Sequence, residues 1–300
     1  MNNEEKKERA KKAVSLLPDR SYLVDFGPVT MVVKVMRDDV PVPDLEFFIY
    51  DTIYQQLEET TRYLPILRNT DCYDKSKQSQ YDAIAKDTVP GKMVAAVMNC
   101  NDPELTPMAA VAGAMSDYLV ERLAEMGATK IFVNNGGDVA LRLAPHESLT
   151  VAVLHDMHHD GRRSILRITG EDGIGGIATS GVGGRSLTLG IANGVTVLGK
   201  TGAEVDALAT SLANKSFLPL PGVERRLASE IDPTTDIGHL EVVTAVPLLS
   251  KDDAMRSAAQ VAEAAVPFLN NGTLRGISIA VQDIIELHPH DFFTTHMVER

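Results

Sequence analysis

Three short clusters in the stretch from Thr106 to Asn214 carry residue types from which a phosphate and metal site can be built. They are Asn134-Asn135-Gly136-Gly137-Asp138, Ala178-Thr179-Ser180-Gly181 and Glu204-Val205-Asp206-Ala207-Leu208-Ala209-Thr210. Each lies where an apolar strand pattern ends or a helix begins, and there backbone N–H groups and short polar side chains can face a ligand instead of one another. Gly136 and Gly137 permit a tight reversal and let bare backbone come within hydrogen-bonding distance of a ligand, although a ligand-free hairpin would use the same residues. Thr179, Ser180 and Gly181, followed by Gly183, Gly184 and Arg185, offer hydroxyls, free N–H groups and one guanidinium. That set suits an anion such as a phosphate, and a flexible loop would have the same composition. Asp206 and Thr210 are four apart in a helical segment and so share a face. With nearby backbone carbonyls they form a hard oxygen set of the kind Mg²⁺ prefers when it bridges phosphates. On the pair alone, the stronger reading is an Asp placed near a helix N-terminus by the dipole.

Other candidate clusters carry less chemistry. His155, His158 and His159 with Asp160 fall in a polar hairpin turn and read as a solvent-exposed loop, and His288, His290 and His296 read the same way. Cys72 and Cys100 lack CxxC spacing, so neither a disulfide framework nor a thiolate zinc site is indicated. No GxGxxG follows a strand and opens a helix, and no Walker A motif is present.

The elements that would hold the clusters can be read from periodicity. Asn3 to Leu17 reads as a charged helix ending before Pro18, and Tyr22 to Val35 as a strand pair around Gly27 and Pro28, followed by the turn Arg37-Asp38-Asp39. A helix starts at Asp44, carries Leu45, Phe48, Ile49, Ile53 and Leu57 at helical spacing, and is expected to end near Arg62, ahead of Pro65. Residues 69–92 read as a solvated surface excursion, with a lid as the alternative, and Met93 to Met98 as a short strand. Thr106-Pro107 opens a helix rich in Ala and Gly that stops at Gly127; its small residues permit close approach of a backbone or a flat ligand. Strands follow at 129–133 and 139–143, with the Asn-Asn-Gly-Gly-Asp cluster as their turn. Residues 149–154 and 164–168 pair across a turn at Asp160-Gly161. Strands at 174–179, 186–191 and 195–198 come next, with Asn193-Gly194 as a hairpin signal. A helix over 203–214, a Pro-rich crossing at 219–221, a strand at 242–246, a helix over 251–269 and a strand at 274–281 complete the chain. Sequential hairpins with inserted helices predict an α+β fold with a mostly antiparallel sheet and packed helices, in one domain over 1–300.

Composition narrows the partners. The chain has 300 residues, 44% of them hydrophobic and 23% charged, which suits a globular protein with a sizeable core. A net charge of -12 without a Lys/Arg block disfavours nucleic acid. No apolar run approaches the roughly 20 residues needed to span a bilayer, so no membrane association is expected. The polar, charged first dozen residues do not form a secretory signal, which with the two thiols leads to the expectation of a cytoplasmic protein. A homo-oligomer is compatible with all of this.

Taken in order, the clusters resemble the ApbE-like superfamily, whose characterised members are Mg²⁺-dependent FAD:protein FMN transferases. In that family a small-residue helix precedes a strand ending in Asn-x-Gly-Gly-Asp, then a Thr-Ser-Gly segment, then a helix beginning Ala-Asp-Ala-x-Ala-Thr. The corresponding stretches here are 112–117, Asn134 to Asp138, Thr179 to Gly181, and Val205 to Thr210. The resemblance is close over about residues 105 to 215 and holds in outline beyond. It implies the ApbE-like (T-fold type) fold and FAD or a related flavin nucleotide between the glycine loops and the metal helix. It also implies Mg²⁺ on Asp206, Thr210 and the Ala209 carbonyl. Two departures stand out: Ala112-Gly113 replaces a Lys-Gly pair, and Ser186-Leu187-Thr188-Leu189 replaces a His-Ile-Ile-Asp-Pro segment. The chain therefore resembles the uncharacterised, leaderless branch of the superfamily. The expected function is Mg²⁺-dependent binding of a flavin or nucleotide phosphate with its reaction unassigned. FMN transfer is one alternative, and a module for another small anionic ligand is the other.

Overall fold

The structure, a computed structural model, describes residues 3–154, 163–184 and 186–297. Strands β1 (Val14–Leu16), β2 (Tyr22–Phe26), β3 (Val29–Arg37), β4 (Val40–Pro41), β5 (Lys130–Asn135) and β6 (Asp138–Leu143) form the first half of the framework. The rest are β7 (Ser148–Leu154), β8 (Arg163–Thr169), β9 (Gly176–Ser180), β10 (Gly194–Gly199), β11 (Glu224–Leu227), β12 (Glu241–Ala245), β13 (Leu274–Val281) and β14 (Ile284–His288). Helices are α1 (Asn3–Ala13), α2 (Glu46–Leu67), α3 (Gln78–Asp82), α4 (Val89–Cys100), α5 (Val111–Glu125), α6 (Gly202–Asn214), α7 (Ala228–Ile231), α8 (Lys251–Asn270) and α9 (His290–His296). One antiparallel sheet of 10 strands runs in the order β1-β2-β3-β5-β6-β9-β10-β13-β14, with β4 added to β3; β7-β8 and β11-β12 are separate two-stranded sheets. This is the expected α+β architecture.

Alternation on the strands assigns the two faces of the large sheet. In β3, Val29, Met31, Val33 and Val35 are buried, and in β5 Ile131 and Val133 are, so these side chains meet the helices in the main core. The intervening residues, including Lys34, Phe132 and Asn134, face the other way, toward β7. On that second face Val139, Leu141, Ile177 and Leu198 pack with Leu166 and Ile168 of β8 and with Phe293 of α9.

Several local expectations are corrected. Residues 14–16 form an edge strand paired with β2 and do not continue α1. Helix α2 runs through Pro65, because a proline in the last turn disrupts little of the helix that follows: Arg68 N–H still bonds to the Leu64 carbonyl and the Asn69 amide to the Pro65 carbonyl. Residues 69–92 fold into short turns and helices that bury Cys72, Tyr81 and Ile84. The expected strand 93–98 is part of α4. Thr88 caps that helix through the Gly91 N–H, Pro90 sits in its first turn, and Asn101 closes it in a left-handed conformation. A six-residue apolar run is ambiguous in period, and these caps decide it.

Residues 186–191 form no strand, because the N–H groups of Leu189 and Ile191 are taken by Asn214, the last residue of α6, and by Ser216 just beyond it. Asn214 Oδ1 accepts from Leu189 N–H, and Ser216 Oγ from Ile191 and Ala192 N–H. Consequently Asn193-Gly194 is no hairpin turn; β10 follows a long connection and pairs with β9. β11, β14 and α9 were not expected. The predicted turn at Asp160-Gly161 lies outside the described residues. Among the described residues, no helix is long and apolar enough to cross a membrane.

Candidate functional site

A cavity of about 790 Å³ lies between the second face of the large sheet and strand β7. Its size is within the usual range for small-molecule sites, roughly 300–1,000 Å³. Phe132, Asn134, Thr179 and Thr196 form its floor, because they are the alternate positions of β5, β9 and β10 that point away from the helices. Leu149, Val151 and Val153 of β7 face them. Thr179 and Thr196 are cross-strand partners whose hydroxyls bond to each other at 2.8 Å.

The β5-β6 turn opens onto this cavity through Asn134, Gly136, Gly137 and Asp138. Gly136 and Gly137 have φ of 71° and 119°, so the backbone itself calls for glycine. Asn134 Oδ1 accepts the Gly137 N–H at 2.9 Å and holds the turn shut. A Cβ on Gly137 would meet nothing within 4 Å, so this backbone faces open space. Asn135 lines neither cavity; its amide donates to the Ala112 carbonyl at 3.3 Å and ties the turn to the start of α5. Ser180 and Gly181 line the cavity beyond Thr179. Gly181 has φ of 149°, and a Cβ there would come to 2.8 Å from the Ala192 carbonyl oxygen.

A second cavity, of about 290 Å³, adjoins the first. Asp138 and Ser186 line both. Asp206 and Thr210 of α6 line the second, roofed by Thr235, Asp236 and Leu240. That roof is pinned by a hydrogen bond from the Thr106 hydroxyl to Asp236 and by another from Arg68 to the Thr234 carbonyl. The structure thus brings the Asn134–Asp138 turn, the Thr179–Gly181 segment and the Asp206/Thr210 pair to one continuous cleft. Ala209 is buried in the core and lines neither cavity. Arg185 and the His155, His158, His159 and Asp160 group lie outside the described residues. His288 pairs with Glu286 at 3.1 Å, His296 with Asp172 at 3.1 Å, and His290 lies 3.2 Å from the Thr294 hydroxyl; none of the three lines either cavity.

The carboxylates of the cleft are strained electrostatically. Burial raises Asp138 to about 6, against a lowering from the Thr179 N–H. Asp206 is raised well above the ordinary carboxylate range, first by burial and next by the Asp138 charge, while the N–H groups of Gly113 and Ala112 act the other way. The Gly113 N–H donates to Asp206 Oδ2 at 2.8 Å, so this carboxylate caps α5, not its own helix. Thr210 donates its hydroxyl to the Asp206 carbonyl at 3.2 Å, which leaves its oxygen lone pairs for another partner.

Two carboxylates and a hydroxyl on one small cavity are a hard oxygen set, and the mutual repulsion of Asp138 and Asp206 is what a divalent cation would relieve. The residues present therefore fit Mg²⁺ with further oxygens supplied by phosphate and water. Among the described residues there is no group of three or more His, Cys, Asp or Glu arranged to hold a metal unaided.

Sequence reasoning missed two residues. Asp117 of α5 accepts the N–H groups of Gly202 and Ala203 at 2.7 and 2.8 Å, and burial raises it to about 7. The first turn of α6 is thereby satisfied within the protein, with Thr201 capping the Glu204 N–H, and its N–H groups do not face a ligand. The signal was an Asp among small and apolar residues of a helix. Thr196 is the polar residue of an otherwise apolar, wholly buried strand. Asp138 is legible as part of the glycine turn, whereas its link to Asp206 depends on the fold.

The chain resembles a known protein family over most of its length. A family model described as AbpE bacteria matches residues 14–287. A UPF0280 protein of Methanothrix thermoacetophila is 38% identical over 109 residues, 36% of this chain and 45% of the relative. Another, of Methanothermobacter thermautotrophicus, is 35% identical over 121 residues, 39% of this chain and 44% of the relative. The chain thus spans under half the length of these curated relatives. Among solved structures, the ApbE protein of Thermotoga maritima has 13% identity and a TM-score of 0.47 over 93% of this chain and 100% of that one. The flavin transferase ApbE of Vibrio cholerae has 14% identity and a TM-score of 0.43 over 89% and 96%. Since the family model matches nearly the whole chain, the protein belongs to the AbpE bacteria family of the ApbE-like superfamily.

Proposed function

We propose that the chain binds a flavin nucleotide, FAD or a close relative, across the two cavities, with Mg²⁺ on Asp206, Thr210 and Asp138. The observation that carries this reading is the junction: one carboxylate, Asp138, lines both the large mixed cavity and the small acidic one. An extended ligand with an apolar ring system and a pyrophosphate fits such a pair, its ring against Phe132, Leu149 and Val151. Its phosphates would meet the open backbone of Gly137 and the hydroxyls of Thr179 and Ser180. Bound Mg²⁺ would offset the charge of the phosphates and of the two carboxylates.

Among the described residues no histidine lines either cavity. FMN transfer to a protein threonine is accordingly the secondary reading, since lack of a positioned base typically costs about 10²–10⁴-fold in rate. Titration of the dialysed protein with FAD, with and without Mg²⁺, followed by flavin fluorescence, tests the proposal. Saturable quenching that strengthens with Mg²⁺ supports it; no binding under either condition refutes it.

A further inference from the structure

We propose that Thr196 is a positioning residue: set deep in the floor of the large cavity, it fixes the Thr179 hydroxyl as a donor aimed at the phosphates of the ligand. The inference rests on the reading that a flavin nucleotide lies in the cleft, and it concerns how the anionic part of that ligand is held. Thr196 is 3% exposed, in a strand whose residues are all buried, and its neighbours Val195, Val197 and Leu198 are apolar. Valine has nearly the same shape as threonine and would pack there with no polar atom to satisfy, so packing alone does not account for the hydroxyl. Among the described residues, that hydroxyl bonds only to the hydroxyl of Thr179, its cross-strand neighbour, at 2.8 Å. Both residues line the large cavity, and Thr179 is the less deeply buried of the two.

Each hydroxyl carries one proton and two lone pairs, so one proton of the pair lies between the oxygens and the other turns elsewhere. Thr196 is the enclosed member, whereas Thr179 opens on the cavity beside Ser180 and Gly181. Thr196 therefore donates to Thr179, and Thr179 turns its own proton to the cleft. Donation from below polarises the outer hydroxyl and makes it a better donor. The pair thus presents a donor of fixed direction, which suits the charged oxygen of a phosphate. A Thr–Thr pair that served the sheet alone would contribute to folding and leave ligand affinity unchanged.

The test is a double-mutant cycle on the full chain, with FAD affinity followed by flavin fluorescence at constant Mg²⁺ and with ADP as a competitor that carries the pyrophosphate without the ring. Thr196→Val should weaken FAD and ADP alike by about tenfold, as expected for a hydrogen bond to a charged group. Thr196→Ser should restore both, and in a Thr179→Val background Thr196→Val should have no further effect. Urea unfolding of each variant identifies those that fold. Unchanged FAD affinity in folded Thr196→Val, a loss that serine does not restore, or a loss that persists in full without the Thr179 hydroxyl would each overturn the inference. So would ADP competition that is absent or no weaker in Thr196→Val. Any of these leaves FAD binding by the parent chain standing, whereas a parent chain that does not bind FAD removes both readings.

Discussion

Asp117 and Asp206 exchange caps: Asp117, on α5, accepts the first N–H groups of α6, and Asp206, on α6, accepts the Gly113 N–H near the start of α5. Two helices that meet at their N-termini thereby satisfy each other's orphan donors with carboxylates. The exchange couples the candidate metal residue to the framework of the core.

Asp117 should make stability depend on pH. Its value in the folded chain is about 7 against an ordinary 3.8, so the native state holds this proton more tightly than the unfolded state does. Stability from that difference is fully present below the unfolded value and is lost as pH rises through the folded one. Asp117→Asn cannot ionise. Between about pH 4 and pH 8 the stability difference should therefore move in the variant's favour, by roughly 2–4 kcal/mol. Urea unfolding of both proteins across that range checks this, and parallel pH profiles would contradict it.

Gly113→Ala should destabilise, although the same change in an open helix stabilises by about 1 kcal/mol. A Cβ at this position would lie 2.2 Å from the Gly202 carbonyl oxygen and 2.8 Å from the Ala203 nitrogen. Both are backbone atoms at the contact of α5 with α6, so relief requires the helices to part. A loss of about 2–4 kcal/mol in chemical denaturation is expected.

Neutralising Asp138 should separate folding from metal binding. Its folded value of about 6 exceeds 3.8, so ionisation opposes folding above that range and is neutral below the unfolded value. Without metal, Asp138→Asn should be more stable than the parent by about 1–2 kcal/mol near pH 8, a figure discounted for its partial exposure, and equal to it near pH 4. Its Mg²⁺ affinity in the presence of FAD should fall by roughly tenfold or more. Calorimetric melts at both pH values and isothermal titration make the comparison.

Gly137→Ala distinguishes a plain turn from a ligand platform. The added methyl meets no protein atom within 4 Å, so the folding penalty is limited to the left-handed φ of 119°. That penalty is about 1–3 kcal/mol. If FAD lies on this backbone, its affinity should fall by about tenfold or more, since a contact of over 1.4 kcal/mol is lost. Unchanged affinity in a folded variant would place the ligand elsewhere.

The parts of the site that were legible in the sequence are those written by local rules. Gly136 and Gly137 announce a turn because only glycine fits the backbone there, and Thr179 to Gly181 announce a strand end. The small residues around Gly113 announce a close approach, and it is the backbone at Gly202 that approaches. What local rules do not carry is pairing across the chain. The Asp138–Asp206 repulsion, the Asp117 cap and the capture of the 189–192 backbone by Asn214 and Ser216 each join residues far apart in sequence. The 186–191 segment reads as a further strand in sequence, yet its Leu189 and Ile191 N–H groups are committed to those two side chains. Helix α4 is hidden in the sequence for another reason, since a short run such as Met93 to Met98 suits either period and the caps at Thr88 and Asn101 settle it.

The large sheet is laid down in chain order, each strand beside the one before it, apart from the side excursions of β4, β7-β8 and β11-β12. The floor of the cleft, β5, β6, β9 and β10, falls in the middle of that row, and the two chain ends supply the margins. Fraying starts at margins, where strands are bonded on one side only, and local opening there requires far less than global unfolding. The β1 margin can thus loosen while the amide protons of β5, β6, β9 and β10 remain among the slowest to exchange. The cleft floor is insulated from the outer strand β1, while Phe293 near the other end of the row packs directly against Val139, Ile177 and Leu198.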